Sequence, residues 1–219
     1  MRYTTVIFDM DGTLLNTLDD LADGVNHMMD QYGYPRKTRE EVRGALGNGA
    51  RYLMSHLLPQ GEDHPRFEQI LQEYGAYYQA HCQIKTKPYD GIPEVLKALK
   101  EAGVKMAIVS NKGDGAVKEL NRQYFSQYIH TAVGEKPGIR RKPCPDSVLE
   151  ALRLLDGDLQ KALYVGDSEV DYETASNGKM ACALVSWGFR DRSFLENFSS
   201  DYLVDQPEEL RRIVLEDGK

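Results

Sequence analysis

Two aspartates stand two positions apart directly after a short apolar run near the N-terminus. The run is Thr5–Phe8, and Asp9 and Asp11 follow it, with Gly12-Thr13 next. One carboxylate can attack a phosphorus centre, and a second can hold and release a proton when its environment differs from that of the first. The pair therefore predicts a divided nucleophile and general acid/base at the end of a strand.

Further polar clusters follow other apolar runs. They contain Ser110, Asn111 and Lys112 in "AIVSNK", and Asp167 and Asp171 in "GDSEVD", while a fourth segment, "RRKPCP", contributes Lys142 just before a predicted helix. Carboxylates at Asp9 and Asp167, with Asp171 as a further candidate, form an oxygen-rich set without histidine, which favours Mg²⁺ with bound waters. Lys142 and the donors near Ser110 provide positive charge and hydrogen bonds for an anion. A phosphoryl group between metal and lysine is the simplest occupant.

These clusters must be positioned by the strands that precede them. Thr5–Phe8, "KMAIVSNK" and "ALYVGD" are short apolar runs, typical of strands buried on both faces of a parallel sheet. Strands and helices then alternate to the C-terminus, which predicts a doubly wound, Rossmann-like parallel α/β sheet. Ligands of such sheets bind beyond the carboxyl ends of the strands. We therefore expect the four polar segments to meet in one pocket.

Residues 16–85 carry a different pattern. From about Thr17 to His81, apolar residues recur at three- and four-residue spacing, and no strand candidate interrupts them. This predicts a small helical cap domain over residues 16–85, inserted after the first strand of a core domain formed by residues 1–15 and 86–219. Within it, "ALGNGARYLM" has two glycines that let a loop approach a ligand closely, followed by Arg51 at a helix start.

Composition excludes several classes of protein. The 219 residues are 41% hydrophobic and 28% charged, with a formal net charge of -7, a balance typical of a globular protein that does not neutralise nucleic acid. Three widely spaced cysteines argue against a disulfide framework, and no apolar run approaches the roughly 18 residues of a membrane span. We expect a cytoplasmic protein, monomeric or homodimeric, that acts on a small phosphorylated metabolite without a nucleic-acid or membrane partner.

Four motifs together carry a resemblance to a known family. "DMDGTLLNT", "VSNK", "RRKP" and "GDSEVD" occur in the order and strand context of the four motifs of the haloacid dehalogenase superfamily. Over nearly its whole length the chain resembles a phosphatase of that superfamily with a helical cap, and it is similar to phosphoglycolate phosphatases in particular. The resemblance implies an Mg²⁺-dependent phosphatase that forms an aspartyl-phosphate, with 2-phosphoglycolate as its substrate.

The resemblance also implies a role for each catalytic candidate. Asp9 would be the nucleophile and Asp11 the general acid/base. Ser110 would bind the phosphoryl group, and Lys142 would hold that group together with Asp9. The family's usual Lys-Pro-Asp-Pro is Lys142-Pro143-Cys144-Pro145 here, a departure that leaves the role of the lysine intact.

Metal and substrate residues follow from the same resemblance. Asp167 and the backbone carbonyl of Asp11 would bind Mg²⁺ with Asp9, and Asp171 would support the metal shell. Ser110, Asn111 and Lys142 would hold the phosphoryl end of the substrate. The cap loop would lie over the active site, where Arg51 and Lys112 are candidates for the substrate's other end. Alternatively, Arg51 is a solvated helix residue that takes no part in substrate binding.

Several alternatives stay open at this point. An EF-hand is excluded, because its sixth position requires glycine and holds Leu14 here. Taken singly, Ser110, Asn111 and Lys142 are more typical of turn or surface residues than of a site. A pyrophosphatase or a phosphomutase of the same superfamily is a close alternative, although mutases commonly carry valine at the position of Thr13. A phosphoacceptor receiver domain or another phosphate-binding regulatory protein is the alternative from a different class.

Overall fold

The computed structural model describes residues 1–216 and contains two β-sheets. The strands are β1 (Thr5–Phe8), β2 (Leu15–Asn16), β3 (Lys87–Pro88), β4 (Lys105–Gly113), β5 (Thr131–Glu135), β6 (Ala162–Gly166), β7 (Ala181–Val185) and β8 (Tyr202–Val204). β2 and β3 form an antiparallel ribbon, and the other six form a parallel sheet in the order β5-β4-β1-β6-β7-β8. The predicted doubly wound sheet is confirmed, with β1 at its centre.

Helices connect the strands and cover both faces of the large sheet. They are α1 (Leu18–Tyr32), α2 (Arg39–Gly44), α3 (Gly49–Leu57), α4 (Phe67–His81), α5 (Ile92–Glu101), α6 (Asp114–Tyr124), α7 (Asp146–Leu155), α8 (Glu169–Gly178), α9 (Arg192–Leu195) and α10 (Pro207–Leu215). Short 3-10 turns lie at Gly61–Asp63 and Leu159–Lys161. Within residues 1–216, no helix combines the length and apolar character needed to cross a membrane.

The core is divided into two layers by the sheet. Side chains of a strand point alternately to opposite faces, so Val6 and Phe8 of β1 join the apolar cluster that contains helices α5 and α10. Ile7 points the other way and joins the cluster that contains Val148 and Ala151 of α7. Burial on both faces explains why Val6, Ile7 and Phe8 of β1 are all apolar.

The segment between β2 and β3 is helical, as its periodicity predicts. Helix α1 packs against α2 and α4, and α3 packs against α4 and reaches β4. The stretch "REEVRGALGNGARYLMSHLL" is divided into α2 and α3 by a loop in which Gly47 and Gly49 have φ values of 110° and 81°, a region that favours glycine. The assignment of residues 16–85 as a separate domain stays a prediction.

Strand β4 is irregular where its polar motif lies. Its pairing with β5 shifts register between Val109 and Gly113, so Ser110, Asn111 and Lys112 occupy a bulge. Bulges re-aim side chains next to active sites. The three polar residues are therefore presented by the strand itself.

Candidate active site

Asp9 lies at the centre of the carboxyl edge of the sheet. Phe8 pairs with Ile108 of β4 on one side and with Val165 of β6 on the other. Ser110 and Asp167 stand two residues beyond these partners, so they flank Asp9, whose backbone N–H donates to the Val165 carbonyl at 2.8 Å. The strand order thus brings three of the sequence-predicted segments together.

Lys142 brings the fourth segment into contact with the other three. Its Nζ donates to Asp9 Oδ1 at 2.8 Å, to Asp171 Oδ1 at 2.7 Å and to the Tyr164 hydroxyl at 3.1 Å, with only 3% of the side chain exposed. Burial opposes the charged ammonium, but the carboxylates of Asp171 and then Asp9 outweigh it and raise the pKa of Lys142. Lys142 is therefore a permanent cation beside Asp9.

Asn111 fixes the backbone of Lys142. Its Oδ1 accepts from the Lys142 N–H at 2.8 Å, and its Nδ2 donates to the Lys142 carbonyl at 3.0 Å. The same Nδ2 also donates to the Gly47 carbonyl at 3.1 Å. One buried amide therefore joins β4, the lysine segment and the loop between α2 and α3, and it orients the lysine from the opposite end to its carboxylate partners.

Asp171 is committed to holding the cluster in shape. Besides Lys142, its Oδ1 accepts from the Tyr164 hydroxyl at 2.9 Å. Its Oδ2 accepts from the N–H groups of Asp167 and Ser168 at 3.2 and 3.1 Å and from the Ser168 hydroxyl at 2.6 Å, which caps α8. Burial raises the pKa of Asp171, but Lys142 and these donors outweigh it and lower that pKa. Asp171 therefore orients Lys142 and the start of α8, and its support of a metal shell stays a prediction.

The carboxylates of Asp9 and Asp167 have fewer hydrogen-bond donors around them than that of Asp171. Burial raises the pKa of Asp9 to about 7; Lys142 opposes this shift, while the charges of Asp171 and Asp11 add to it. Burial, followed by the charges of Asp171 and Asp9, raises the pKa of Asp167 well above its usual value. Oxygens of Asp9, Asp167 and Asp171 lie within 4.8 Å of one another, all three residues being buried. Three carboxylates beside one lysine ammonium leave a net negative charge, and their oxygens are ligands that suit a hard divalent cation such as Mg²⁺.

Two glycines leave room for the Asp167 side chain. A Cβ on Gly12, whose φ is 85°, would lie 2.3 Å from Asp167 Oδ2, and one on Gly188 would lie 2.4 Å from the same oxygen. Asp167 Oδ2 accepts from the Phe189 N–H at 2.6 Å, and its Oδ1 accepts from the Thr13 hydroxyl at 3.3 Å. Glycine at position 12 is therefore required for the carboxylate to lie against the first motif.

Asp11 occupies a more open position than Asp9. Its Oδ1 accepts from the Thr17 hydroxyl at 2.7 Å and lies 3.1 Å from Lys112 Nζ, and 18% of its side chain is exposed. Both contacts are made at Oδ1 of Asp11. Asp11 therefore differs from Asp9 in both hydrogen bonding and solvent access, which is the condition for a division of roles between paired carboxylates.

A cavity of about 320 Å³ opens above these residues. Its floor contains Asp9, Asp11, Ser110, Asn111 and Lys112. The helical segment and its loop contribute other lining residues, namely Leu21, Leu46, Gly47, Gly49, Ala50, Leu53, Tyr74, Gly75, Tyr78 and Gln79. The loop comes close enough that a Cβ on Gly49 would lie 3.1 Å from the Asn111 carbonyl. The loop therefore packs against β4 beside the cavity, and its approach to a ligand stays a prediction.

Arg51, a predicted substrate residue, does not line this cavity. Its guanidinium donates to Glu68 at 2.7 and 2.8 Å and to Glu62 at 3.1 Å, and it lies over the Phe67 ring. Ala50 and Leu53, three residues apart on α3, line the cavity, and the helical repeat directs Arg51 away from their face. The structure supports the solvated alternative for Arg51.

Three residues that contact the site have no counterpart among the sequence candidates. Tyr164 bonds Lys142 and Asp171, Thr17 bonds Asp11, and the Tyr78 hydroxyl accepts from Lys112 at 2.7 Å. Tyr164 carries the strongest signal, since its hydroxyl is the polar group in an otherwise apolar buried strand and needs a partner. Tyr78 belongs to a tyrosine-rich helix, and its partner depends on long-range packing.

The sequence matches a family model described as haloacid dehalogenase-like hydrolase over residues 6–185. The chain therefore belongs to that family. Within the family it is a phosphatase-type hydrolase similar to phosphoglycolate phosphatases. A relative of that name from Aquifex aeolicus is 31% identical over 210 residues, which are 95% of this chain and 95% of the relative.

One similar protein is named for a different substrate, and one similar structure is again that of a candidate phosphoglycolate phosphatase. The N-acetylmuramic acid 6-phosphate phosphatase of Pseudomonas aeruginosa is 32% identical over 212 residues, covering 96% of this chain and 94% of that protein. A crystal structure of a candidate phosphoglycolate phosphatase from Lactobacillus delbrueckii subsp. bulgaricus superposes with a TM-score of 0.93 at 35% identity, covering 99% of this chain and 100% of the other. The fold and family agree across these proteins, while their named substrates differ.

Proposed function

We propose that the protein is an Mg²⁺-dependent phosphatase that hydrolyses a small phosphomonoester through an aspartyl-phosphate on Asp9. The observation that carries the proposal is the ammonium of Lys142, which lies 2.8 Å from Asp9 Oδ1 and is buried at the end of β1. This contact orients Asp9 and places a fixed positive charge where a phosphoryl group would gain negative charge during transfer.

The first half-reaction transfers the phosphoryl group to the protein. A carboxylate oxygen of Asp9 attacks phosphorus, a new oxygen–phosphorus bond forms, and the bond to the leaving oxygen breaks. Asp11 donates its proton to that oxygen, so the leaving group departs as an alcohol. Ser110 and Lys142 stabilise the equatorial oxygens of the transferring group.

The second half-reaction returns Asp9 to its starting state. Asp11, now a carboxylate, removes a proton from a water molecule, and the water oxygen attacks phosphorus. The bond between phosphorus and Asp9 breaks, inorganic phosphate leaves, and Asp11 again carries a proton. One residue thus acts as acid and then as base, as reversibility requires.

Asp9, Asp167 and the backbone carbonyl of Asp11 would hold Mg²⁺. When bound, the ion supplies charge neutralisation for the carboxylates and the phosphoryl oxygens. The chain's own contribution is to hold Asp167 through the Phe189 N–H and the Thr13 hydroxyl and to keep Lys142 charged between Asp9 and Asp171.

We further propose 2-phosphoglycolate as the substrate. Lys112 supports this choice, because its ammonium lies in the cavity beside Asp11 and can pair with a carboxylate on the leaving group. Several relatives are named phosphoglycolate phosphatases. Arg51, which pairs with Glu62 and Glu68, has no part in the proposal.

A direct assay tests the activity and the substrate separately. Hydrolysis of p-nitrophenyl phosphate should require Mg²⁺, stop in EDTA and return when Mg²⁺ is restored, and unchanged hydrolysis in chelator would contradict the metal assignment. A panel of 2-phosphoglycolate, N-acetylmuramic acid 6-phosphate and pyrophosphate should then show the highest kcat/KM for 2-phosphoglycolate. A higher kcat/KM for another member would replace the proposed substrate and leave the reaction class intact.

A further inference from the structure

Tyr78 of α4 makes a close contact with Lys112 of β4. The Tyr78 hydroxyl accepts from Lys112 Nζ at 2.7 Å, and the same nitrogen lies 4.2 Å from the centroid of the Tyr78 ring. Tyr78 is buried, and only 7% of the Lys112 side chain is exposed. The contact joins the helical segment to the sheet at the edge of the cavity, which both residues line.

Lys112 and Tyr78 each have a hydrogen-bond donor that this contact does not use. An ammonium has three N–H donors. Lys112 directs one toward the Tyr78 hydroxyl and another toward Asp11 Oδ1 at 3.1 Å, which leaves a third. Because the Tyr78 hydroxyl accepts from Lys112, its own proton is available to a ligand. Burial raises the pKa of Tyr78 well above its usual value, so the phenol keeps that proton.

The position of these donors indicates what they would bind. Lys112 contacts Asp11, the proposed proton donor to the leaving oxygen, whereas Ser110 and Lys142 would bind the phosphoryl group. A group held by Lys112 and Tyr78 would therefore belong to the leaving group. Two neighbouring donors suit a carboxylate or hydroxyl oxygen a few ångströms from the ester oxygen.

We infer that Tyr78 is a specificity-determining residue, which with Lys112 forms a two-donor clamp for an oxygen acceptor on the leaving group. The inference rests on the proposed function and assigns the leaving-group end of the same site. A lysine has a flexible four-carbon stem, so surrounding groups must fix its ammonium before a ligand arrives. The ring and hydroxyl of Tyr78 do so for Lys112, and fixing a donor in advance increases affinity.

The test compares two phosphoesters that differ in the acceptor. Ethyl phosphate resembles 2-phosphoglycolate but has a methyl group in place of the carboxylate. Tyr78→Phe keeps the aromatic ring and removes the hydroxyl. Tyr77→Phe is the matched control, because Tyr77 is the adjacent residue on α4 and its ring stacks between those of His27 and His81, at 3.9 and 4.0 Å between centroids.

Tyr78→Phe should lower kcat/KM for 2-phosphoglycolate by about tenfold or more, mainly through a higher KM, because a hydrogen bond to a charged acceptor is lost. The loss for ethyl phosphate should be less than about threefold, and Tyr77→Phe should leave the ratio of the two substrates unchanged. Equal losses for both substrates, or no loss for either, would overturn the inference.

A second variant guards against a purely structural effect. Lys112→Met should produce the same loss of selectivity, and the Tyr78→Phe/Lys112→Met double variant should lose little more than Lys112→Met alone, since both changes remove one clamp. Additive losses would contradict a shared role. The inference and the proposed function can fail separately. Glycerol 1-phosphate offers a hydroxyl on the leaving group where 2-phosphoglycolate offers a carboxylate. If the natural protein hydrolyses p-nitrophenyl phosphate but prefers neither of these two over ethyl phosphate, the inference about Tyr78 and Lys112 is wrong and the proposed function stands. If the natural protein shows no Mg²⁺-dependent hydrolysis at all, the proposed function fails.

Discussion

The ammonium nitrogen of Lys142 lies 2.8 Å from Oδ1 of Asp9, although the two residues are 133 positions apart in the chain. The contact is possible because Asp9 follows the central strand of the sheet and Asn111 fixes the backbone of Lys142 from the neighbouring strand. The fold therefore places a buried cation next to the proposed nucleophile.

Replacement of Lys142 should affect both stability and turnover. Lys142→Met leaves Asp9 and Asp171 buried without their cation, and breaking such a pair typically costs about 3–5 kcal/mol in the free energy of unfolding. Loss of a preorganised charge at the phosphoryl group should also lower kcat by roughly 10²–10³-fold. Urea unfolding and steady-state kinetics measure the two effects.

Lys97→Met is the matched control for that substitution. Lys97 is 67% exposed and lies 3.9 Å from Glu101 on the surface of α5. Exposed changes of this kind usually alter stability by less than about 0.5 kcal/mol. Equal effects of the two substitutions would contradict the special position of Lys142.

The raised pKa of Asp9 predicts how stability depends on pH without metal. The folded value of about 7 lies above the usual 3.8, so between these pH values the folded protein binds more protons than the unfolded chain. Stability through this group is therefore fully present below about pH 4 and is lost as the pH rises through about 7.

Mg²⁺ should reverse this loss, because it binds the deprotonated carboxylates. The increase in Tm caused by Mg²⁺ should be larger at pH 8 than at pH 5.5, as thermal unfolding can show. Asp9→Asn should reduce the difference between the two pH values, and Asp167, whose pKa is also raised, should account for what is left. An Mg²⁺ effect that is independent of pH would argue against binding at Asp9.

Arg51 should have little influence on catalysis. Its guanidinium is engaged by Glu62 and Glu68 at a surface where all three side chains are at least one third exposed, and exposed ion pairs contribute about 0–1 kcal/mol. Arg51→Ala should change kcat/KM for 2-phosphoglycolate by less than about twofold. A loss comparable with that of Lys112→Met would show that Arg51 leaves its glutamates to reach the substrate.

The sequence predicted the sheet and the meeting of four polar segments because both depend on local signals. An apolar run such as Thr5–Phe8 specifies a buried strand, and parallel strands place their carboxyl ends at one edge. Asp9, Ser110 and Asp167 lie together for that reason. Lys142 lies in the loop between β5 and α7, and the Asn111 side chain fixes its backbone beside them.

The orientation of side chains on the helical segment was less predictable. Arg51 and Tyr78 both lie on amphipathic helices, and their spacing does not tell which of them faces the sheet. That choice depends on how α3 and α4 pack, where Ala50 and Leu53 turn inward and Arg51 meets Glu68 instead. The tyrosine in the apolar strand β6 indicates that a buried hydroxyl needs a partner, but the sequence does not identify Lys142 and Asp171 as the partners of Tyr164.

Asp11→Asn should slow the two half-reactions unequally. General acid/base assistance is typically worth about 10²–10⁴-fold, so phosphorylation from an alkyl phosphate should slow by roughly that factor. A p-nitrophenolate leaving group needs little protonation, and phosphorylation from p-nitrophenyl phosphate should suffer less. Rapid-quench kinetics separate the steps, and equal slowing of phosphorylation for both substrates would contradict the assignment of Asp11.

The covalent role of Asp9 is tested most directly by trapping the intermediate. The Asp11→Asn variant, in which hydrolysis of the intermediate should be slow, is mixed with p-nitrophenyl phosphate and Mg²⁺, quenched in acid and digested for peptide mass spectrometry. The account predicts about one phosphate per protein on the peptide that contains Asp9, lost on treatment with hydroxylamine and absent from the Asp9→Asn/Asp11→Asn double variant. Phosphate on another residue, or turnover by the Asp11→Asn variant with no phosphorylated peptide, would contradict it.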